Sequence, residues 1–276
     1  LMVNSTIILY GIFAGLVAIL VTVAIERFGG VIGGVLGTIP STIVPAAAGV
    51  YLIDGKESLI SSMSIVPIGM LINGLFLGVW IVFPRYIRNE RLKLPFTIVA
   101  SLSAWSLLAL TSLMLVRNIT NGIISELALG LIGLFALASL AIFFNIQSIA
   151  APKGINKVPL IILSIRGIAA GLAIAFCLLL AELGLPFLAG LASAFPAIFL
   201  TSMVALWLSQ GPQVPQGAAA PMMLGGASVS VYALIVMWSL PSFGIIYGSV
   251  IAWFGAIGLW TLPSFLLLKR YRSTID

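Results

Sequence analysis

The sequence predicts an all-α fold, a polytopic transmembrane helical bundle of about nine spans in which two inverted four-helix repeats are joined by a linker helix. Composition is the first reason: 61% of the 276 residues are apolar and 7% charged, with a mean hydropathy of +1.24. A soluble domain has about a quarter of its residues charged. Run length is the second. The apolar stretches are about 20 residues long, the length of a membrane-crossing helix, whereas barrel strands are about 10 residues long and alternate in polarity. The third reason is an internal repeat whose second copy begins after an odd number of spans and so enters the membrane from the opposite side.

Nine spans follow in order at 6–27, 29–53, 58–83, 95–116, 121–149, 159–182, 185–208, 217–239 and 242–268. The first is one apolar run among many rather than a secretory signal ahead of a soluble domain. The second carries "GTIPSTIVPAAAG" (Gly37 to Gly49), and the third ends at the basic connection with Arg85, Arg88, Arg91 and Lys93. The fourth holds Trp105; the fifth, between Glu126 and Gln147, has no counterpart and is the linker. Lys153 and Lys157 precede the sixth, and Lys269, Arg270 and Arg272 follow the ninth. With nine spans these three basic groups share one side, which the positive-inside rule makes cytoplasmic; the N-terminus is then outside. The expected setting is the plasma (inner) membrane of a prokaryote. The chain reads as a single membrane domain, 1–276, with repeat one at 6–116, the linker at 121–149 and repeat two at 159–270.

The repeat is read by sliding the chain against itself. "YGIFAGLVAILVTVAIERFGGVIGGVLGTIP" from Tyr10 aligns without a gap on "RGIAAGLAIAFCLLLAELGLPFLAGLASAFP" from Arg166, an offset of 156 residues. Gly11, Gly15, Glu26, Gly34 and Pro40 meet Gly167, Gly171, Glu182, Gly190 and Pro196, and the register continues through Gly55 with Gly211. At an offset of 148 residues, "SLSAW" (Ser101 to Trp105) meets "SVIAW" (Ser249 to Trp253). Small residues match easily in this composition, so the weight falls on Glu, Pro and Trp. Inverted repeats recur in secondary transporters, with substrate near the midplane and discontinuous helices supplying backbone groups.

The second repeat, through "AGLASAFPAIFL" (Ala189 to Leu200), Ser228 to Trp238 and "GSVIAWFG" (Gly248 to Gly255), resembles the small four-helix bacterial inner-membrane proteins of the GlpM type. The resemblance spans one such unit, about 110 residues, and the first repeat is similar to a more diverged copy. It implies a fused pair of units whose relatives pair as antiparallel dimers, and it implies no substrate and no functional residue.

Candidate functional residues come from the breaks and from polar groups inside the spans. Pro40 and Pro45 each remove a helix hydrogen bond, leaving the carbonyls of Leu36 and Ser41 to find other partners. Thr38, Ser41 and Thr42 supply hydroxyls there, and Ser193, Pro196, Thr201 and Ser202 stand at the same depth of the opposite repeat. The break reads either as a packed kink or as the wall of a substrate site. Arg166, inside the sixth span, either contacts an anion or snorkels to the interface. Glu26 and Glu182 close equivalent helices, as interfacial groups or as gates and proton carriers. Asn73, Trp105 and Trp253 complete the candidate substrate-binding set, with interior packing as the other reading for each.

Several classes are excluded. No His, one Cys and few carboxylates leave no metal site and no cofactor, and Cys177 lacks a base for nucleophilic catalysis, so no enzyme is expected. The net charge of +6 reflects cytoplasmic loops, not nucleic acid. No phosphate-binding loop is present. The expected function is a secondary transporter that moves a small neutral or anionic solute by alternating access. A non-transporting scaffold or complex subunit, a channel and a lipid flippase are the alternatives, the flippase requiring a lateral opening. Expected partners are the solute, membrane lipids and, as a candidate, a second copy of the chain.

Overall fold

The computed structural model describes residues 5–28, 39–119, 124–147 and 159–272. Those residues form helices and connecting turns with no strand among them. The helices are α1 (Ser5–Phe28), α2 (Ile43–Val82), α3 (Glu90–Ile119), α4 (Glu126–Gln147), α5 (Leu160–Glu182), α6 (Pro186–Ser193), α7 (Ala197–Gln210), α8 (Gln213–Ala256) and α9 (Leu262–Arg272). A 3₁₀ turn, Phe83–Tyr86, leads from α2 toward α3, and a π-helical stretch, Ile257–Thr261, joins α8 to α9.

Six of the described stretches are long and apolar enough to cross a membrane. Two are composite. Ile43–Tyr86 spans 44 residues and Gln213–Leu267 spans 55, about 65 and 80 Å at 1.5 Å per residue, against a hydrocarbon core of about 30 Å. Each bends at a glycine: Gly55 (φ 78°, ψ −164°) divides α2, and Gly244 (φ 76°, ψ 176°) divides α8. Backbone with φ near +80° and ψ near 180° is open essentially to glycine alone. Gly211, 156 residues after Gly55, has the same conformation (φ 84°, ψ 170°) and closes α7.

Directions follow from which residues touch. Along α4, Gly130 meets Ser64 and Pro67, Leu137 meets Gly74 and Phe144 meets Gly78, so α4 runs parallel to the second half of α2. Gly130 also meets Leu234, and Asn145 Nδ2 donates to the Ala220 carbonyl at 2.8 Å, so α4 runs antiparallel to α8. The long halves of α2 and α8 therefore oppose each other in direction. α4, which lies within the stretch expected as a linker, packs against both of them.

α1 and α5 cross antiparallel through a reciprocal glycine contact. A Cβ on Gly11 would lie 3.1 Å from the Gly171 carbonyl oxygen, and one on Gly167 the same distance from that of Gly15. On Gly15 it would lie 2.8 Å from the Gly167 oxygen, and on Gly171 2.8 Å from that of Gly11. Each contact maps onto its mate by the 156-residue offset. Small residues spaced four apart allow membrane helices this close an approach, where packing rather than the hydrophobic effect drives association.

Candidate functional site

A turn stands at each of the two prolines, and the two turns share one hydrogen-bond pattern. At the first, the Ser41 N–H donates to the Ile39 carbonyl at 2.8 Å; at the second, the Ala197 N–H donates to the Phe195 carbonyl, also at 2.8 Å. Each is a three-residue turn centred on proline, at Pro40 and at Pro196, and the fixed proline φ suits that geometry. A new helix starts directly after each. Thr42 is the N-cap of α2, without a side-chain capping bond, and Pro45 lies in that helix's first turn. The expectation that Pro45 kinks a continuous helix is corrected: in a first turn its missing N–H has no intrahelical acceptor to lose. Thr38, the Leu36 carbonyl and the Glu26 side chain lie outside the described residues.

The turn at Pro196 is clasped from α2 and α3. Asn73, 2% exposed on α2, donates from Nδ2 to the Ala194 carbonyl at 2.8 Å, and its Oδ1 accepts from Trp105 Nε1 on α3 at 2.8 Å. The Trp105 ring stands edge-on to Phe195, with centroids 5.2 Å apart. One asparagine thus joins a long helix, its hairpin partner and the end of the half-helix α6. The half-helix is held at its other end too, where Ser62 Oγ donates to the Pro186 carbonyl at 2.8 Å.

The turn at Pro40 is faced by the last part of α8, but openly. A cavity of about 350 Å³ separates it from the residues after Gly244. Phe13, Val17 and Leu20 of α1 form one wall and Ser41 and Val44 another; Ser249, Val250 and Trp253 close the third. Trp253, aligned with Trp105 in the sequence, stands near the Pro40 turn as Trp105 stands near the Pro196 turn. At the position of Asn73 the second repeat has Val229, which offers no polar bridge. The two sides are filled alike at two of these positions, Trp105 and Leu200 packing in one core cluster and their counterparts Trp253 and Val44 in another; they differ at the third, where Leu102 is packed and Val250 is half-exposed.

Among the described residues the cavity's polar lining is Ser41 and Ser249, with no charged side chain. Ser249, 9% exposed, has no hydrogen-bond partner for Oγ among the described residues. The buried Tyr232 hydroxyl lies beside it, short of a well-formed hydrogen bond and equally without another described partner. The counterpart Ser101 bonds the Ile98 carbonyl of its own helix at 3.0 Å.

The remaining candidates disperse. Arg166 is buried, 7% exposed, and donates from Nη2 to Ser202 Oγ at 3.0 Å, but it does not line the cavity. Ser193, Thr201 and Ser202 donate to carbonyls of their own helices, at Gly190, Ala197 and Ile198. Glu182 is exposed at the end of α5. The sequence reading passed over Phe13, Val17 and Val44, which look like ordinary packing residues. Ser249 stood inside the aligned "SVIAW", and its register with Ser101 was the available signal. No protein-family model, no curated protein and no solved structure matches the chain.

Proposed function

We propose that the chain is a secondary transporter that works by alternating access between two inverted repeats, rather than an enzyme. The observation that carries this is the unequal state of two equivalent breaks: the turn at Pro196 is clasped by Asn73 and Trp105, while the turn at Pro40 borders a cavity. Two copies of one device in different states are what a rocking pair of repeats presents at one end of its cycle. The opposed directions of α2 and α8 and the reciprocal α1–α5 crossing support the inversion, with the crossing as pivot. On this reading the bends at Gly55 and Gly244 and the short half-helices account for nine crossings, and the basic groups set the C-terminus in the cytoplasm. A fused pair of GlpM-like units in a bacterial inner membrane fits the same plan.

The transported species is neutral on this reading, since the described lining residues carry no charge. A second reading, the lipid flippase, is favoured over a soluble solute by the cavity's rim. Phe13, Leu20 and Val250 are exposed on the bundle's outer surface, so the opening faces sideways.

The test uses cysteines at the paired positions Ser41→Cys and Ala197→Cys in a Cys177→Ala background, since Cys177 is the sole native cysteine. In proteoliposomes both are expected to react with N-ethylmaleimide, Ser41→Cys faster, because each break opens in turn. An Ala197→Cys that stays unreactive while Ser41→Cys reacts would mean a fixed scaffold. Solute flux without saturation, far above about 10³ per second, would mean a channel.

A further inference from the structure

We infer that the cavity beside Pro40 binds a neutral amphiphile drawn from the bilayer, its hydroxyl or carbonyl oxygen seated on Ser249 and its hydrocarbon chain along α1. This deepens the transport reading and rests on it only for what happens after binding.

The cavity's place supplies the route. Phe13 lies eight residues from the start of α1 and Leu20 eight residues from its end, so the wall they form is at the helix's middle. For a helix that spans a bilayer, that is the hydrocarbon depth, about 12 Å from either end at 1.5 Å per residue. The half-exposed Phe13, Leu20 and Val250 at the rim then face acyl chains, and water has no short path to the opening.

The lining supplies the ligand's chemistry. Apolar groups dominate it, so the body of the ligand is hydrocarbon. Its polar lining residues are Ser41 and Ser249, and the buried Ser249 Oγ makes no well-formed hydrogen bond among the described residues, with only the Tyr232 hydroxyl beside it, behind the lining. Buried polar groups normally find partners. Each hydroxyl both donates and accepts, which suits an alcohol or carbonyl oxygen. Among the described lining residues a carboxylate or phosphate finds no countercharge, and burying an unpaired charge is strongly unfavourable. At about 350 Å³ the space is at the small end of ligand pockets, enough for a head and the first part of a chain.

The experiment cross-links the intact protein in phosphatidylcholine nanodiscs with hexadecanol carrying a mid-chain diazirine, using the matching diazirine fatty acid at pH 8 as the charged control. The alcohol is expected to label Phe13, Val44, Val250 or Trp253 saturably, with unlabelled hexadecanol competing and the fatty acid labelling at least tenfold less. Ser249→Leu, with unchanged elution and melting, should reduce that labelling at least fivefold; wild-type competition is the measurement that needs no variant. Unsaturable labelling spread over all lipid-facing residues would reduce the site to annular lipid and overturn the inference. Equal labelling by the fatty acid would overturn the neutral head. Repeating the experiment in Asn73→Leu separates the two readings: saturable labelling that the clasp variant leaves unchanged upholds the ligand and refutes the exchange of states.

Discussion

Replacing Asn73 by leucine, nearly its isostere, removes the clasp and leaves the volume. Two bonds go, from Asn73 to the Ala194 carbonyl and from Trp105 Nε1 to Asn73, and both partners stay buried in the clasped state. A buried group left unpaired costs about 1–3 kcal/mol. Hydrogen bonds inside membrane proteins measure about 0.6 kcal/mol on average and at most about 1.7, because the competing state also finds partners. For two bonds the clasped state therefore loses about 1–3 kcal/mol relative to its alternative, a shift of about 5- to 150-fold in the equilibrium. The assay is the alkylation rate at the paired cysteines. In Asn73→Leu the rate at Ala197→Cys should rise by that factor while the rate at Ser41→Cys falls. Rates that rise together would mean that the substitution loosens the bundle, and unchanged rates that the clasp carries no conformational weight; either result refutes the reasoning.

Val229→Asn places an amide at the equivalent position of the second repeat, within the register that brings Asn73 to Trp105. It should slow alkylation at Ser41→Cys at least threefold, and an unchanged rate would show that the register does not extend to the side chains. Gly15→Leu sets a side chain against the Gly167 carbonyl, where even a Cβ would be at 2.8 Å; the apparent Tm in detergent should fall, and an unchanged Tm would remove the crossing as a close contact. Gly55→Ala meets no neighbour within 4 Å but must hold φ 78°, so it should cost about 1–3 kcal/mol by chemical denaturation, from backbone strain alone. Arg166→Gln should leave alcohol labelling of the cavity within twofold, since Arg166 bonds Ser202 and not the lining; a tenfold loss would make it part of the site.

The matching local geometry at paired positions was legible because the residues there have few ways to be satisfied. Pro40 and Pro196 fix their own φ, and Gly55 and Gly211 share a conformation closed to other residues, so identity at those positions carries geometry. Trp105 and Trp253 were legible as a pair, but not as neighbours of the Pro196 and Pro40 turns, since sequence register gives no distance across the bundle. Asn73 was marked as an interior polar group; its partner, the Ala194 carbonyl, is backbone and leaves no trace in composition. Pro45 was misread because nothing in the apolar run says where the new helix begins. Gly244 was missed as a bend because the offset that pairs the other glycines gives it no mate of its own. The α1–α5 glycines were discounted as common, and their value lies in the reciprocity of four contacts, visible only in coordinates.

The difference between Asn73 and Val229 also bears on direction. Two identical repeats would hold the two end states at equal energy, and a single clasp worth about 1–3 kcal/mol tips them without excluding either. A ligand shifts such an equilibrium only by its differential affinity for the two states. An amphiphile bound at the open Pro40 break therefore deepens the state already favoured, and it advances only if the counterpart site holds it nearly as well. That counterpart has Leu200 and Leu102 where the open cavity has Val44 and Val250, and Ala197 where it has Ser41. Its serine, Ser101, is bonded to its own helix. It is the tighter and less polar of the two, so on this reading the ligand is released from the Pro196 side. Ala197→Ser and Leu200→Val together should slow that release, measured as a longer half-life of bound diazirine alcohol after dilution into empty vesicles, and a shortened half-life would reverse the assigned direction.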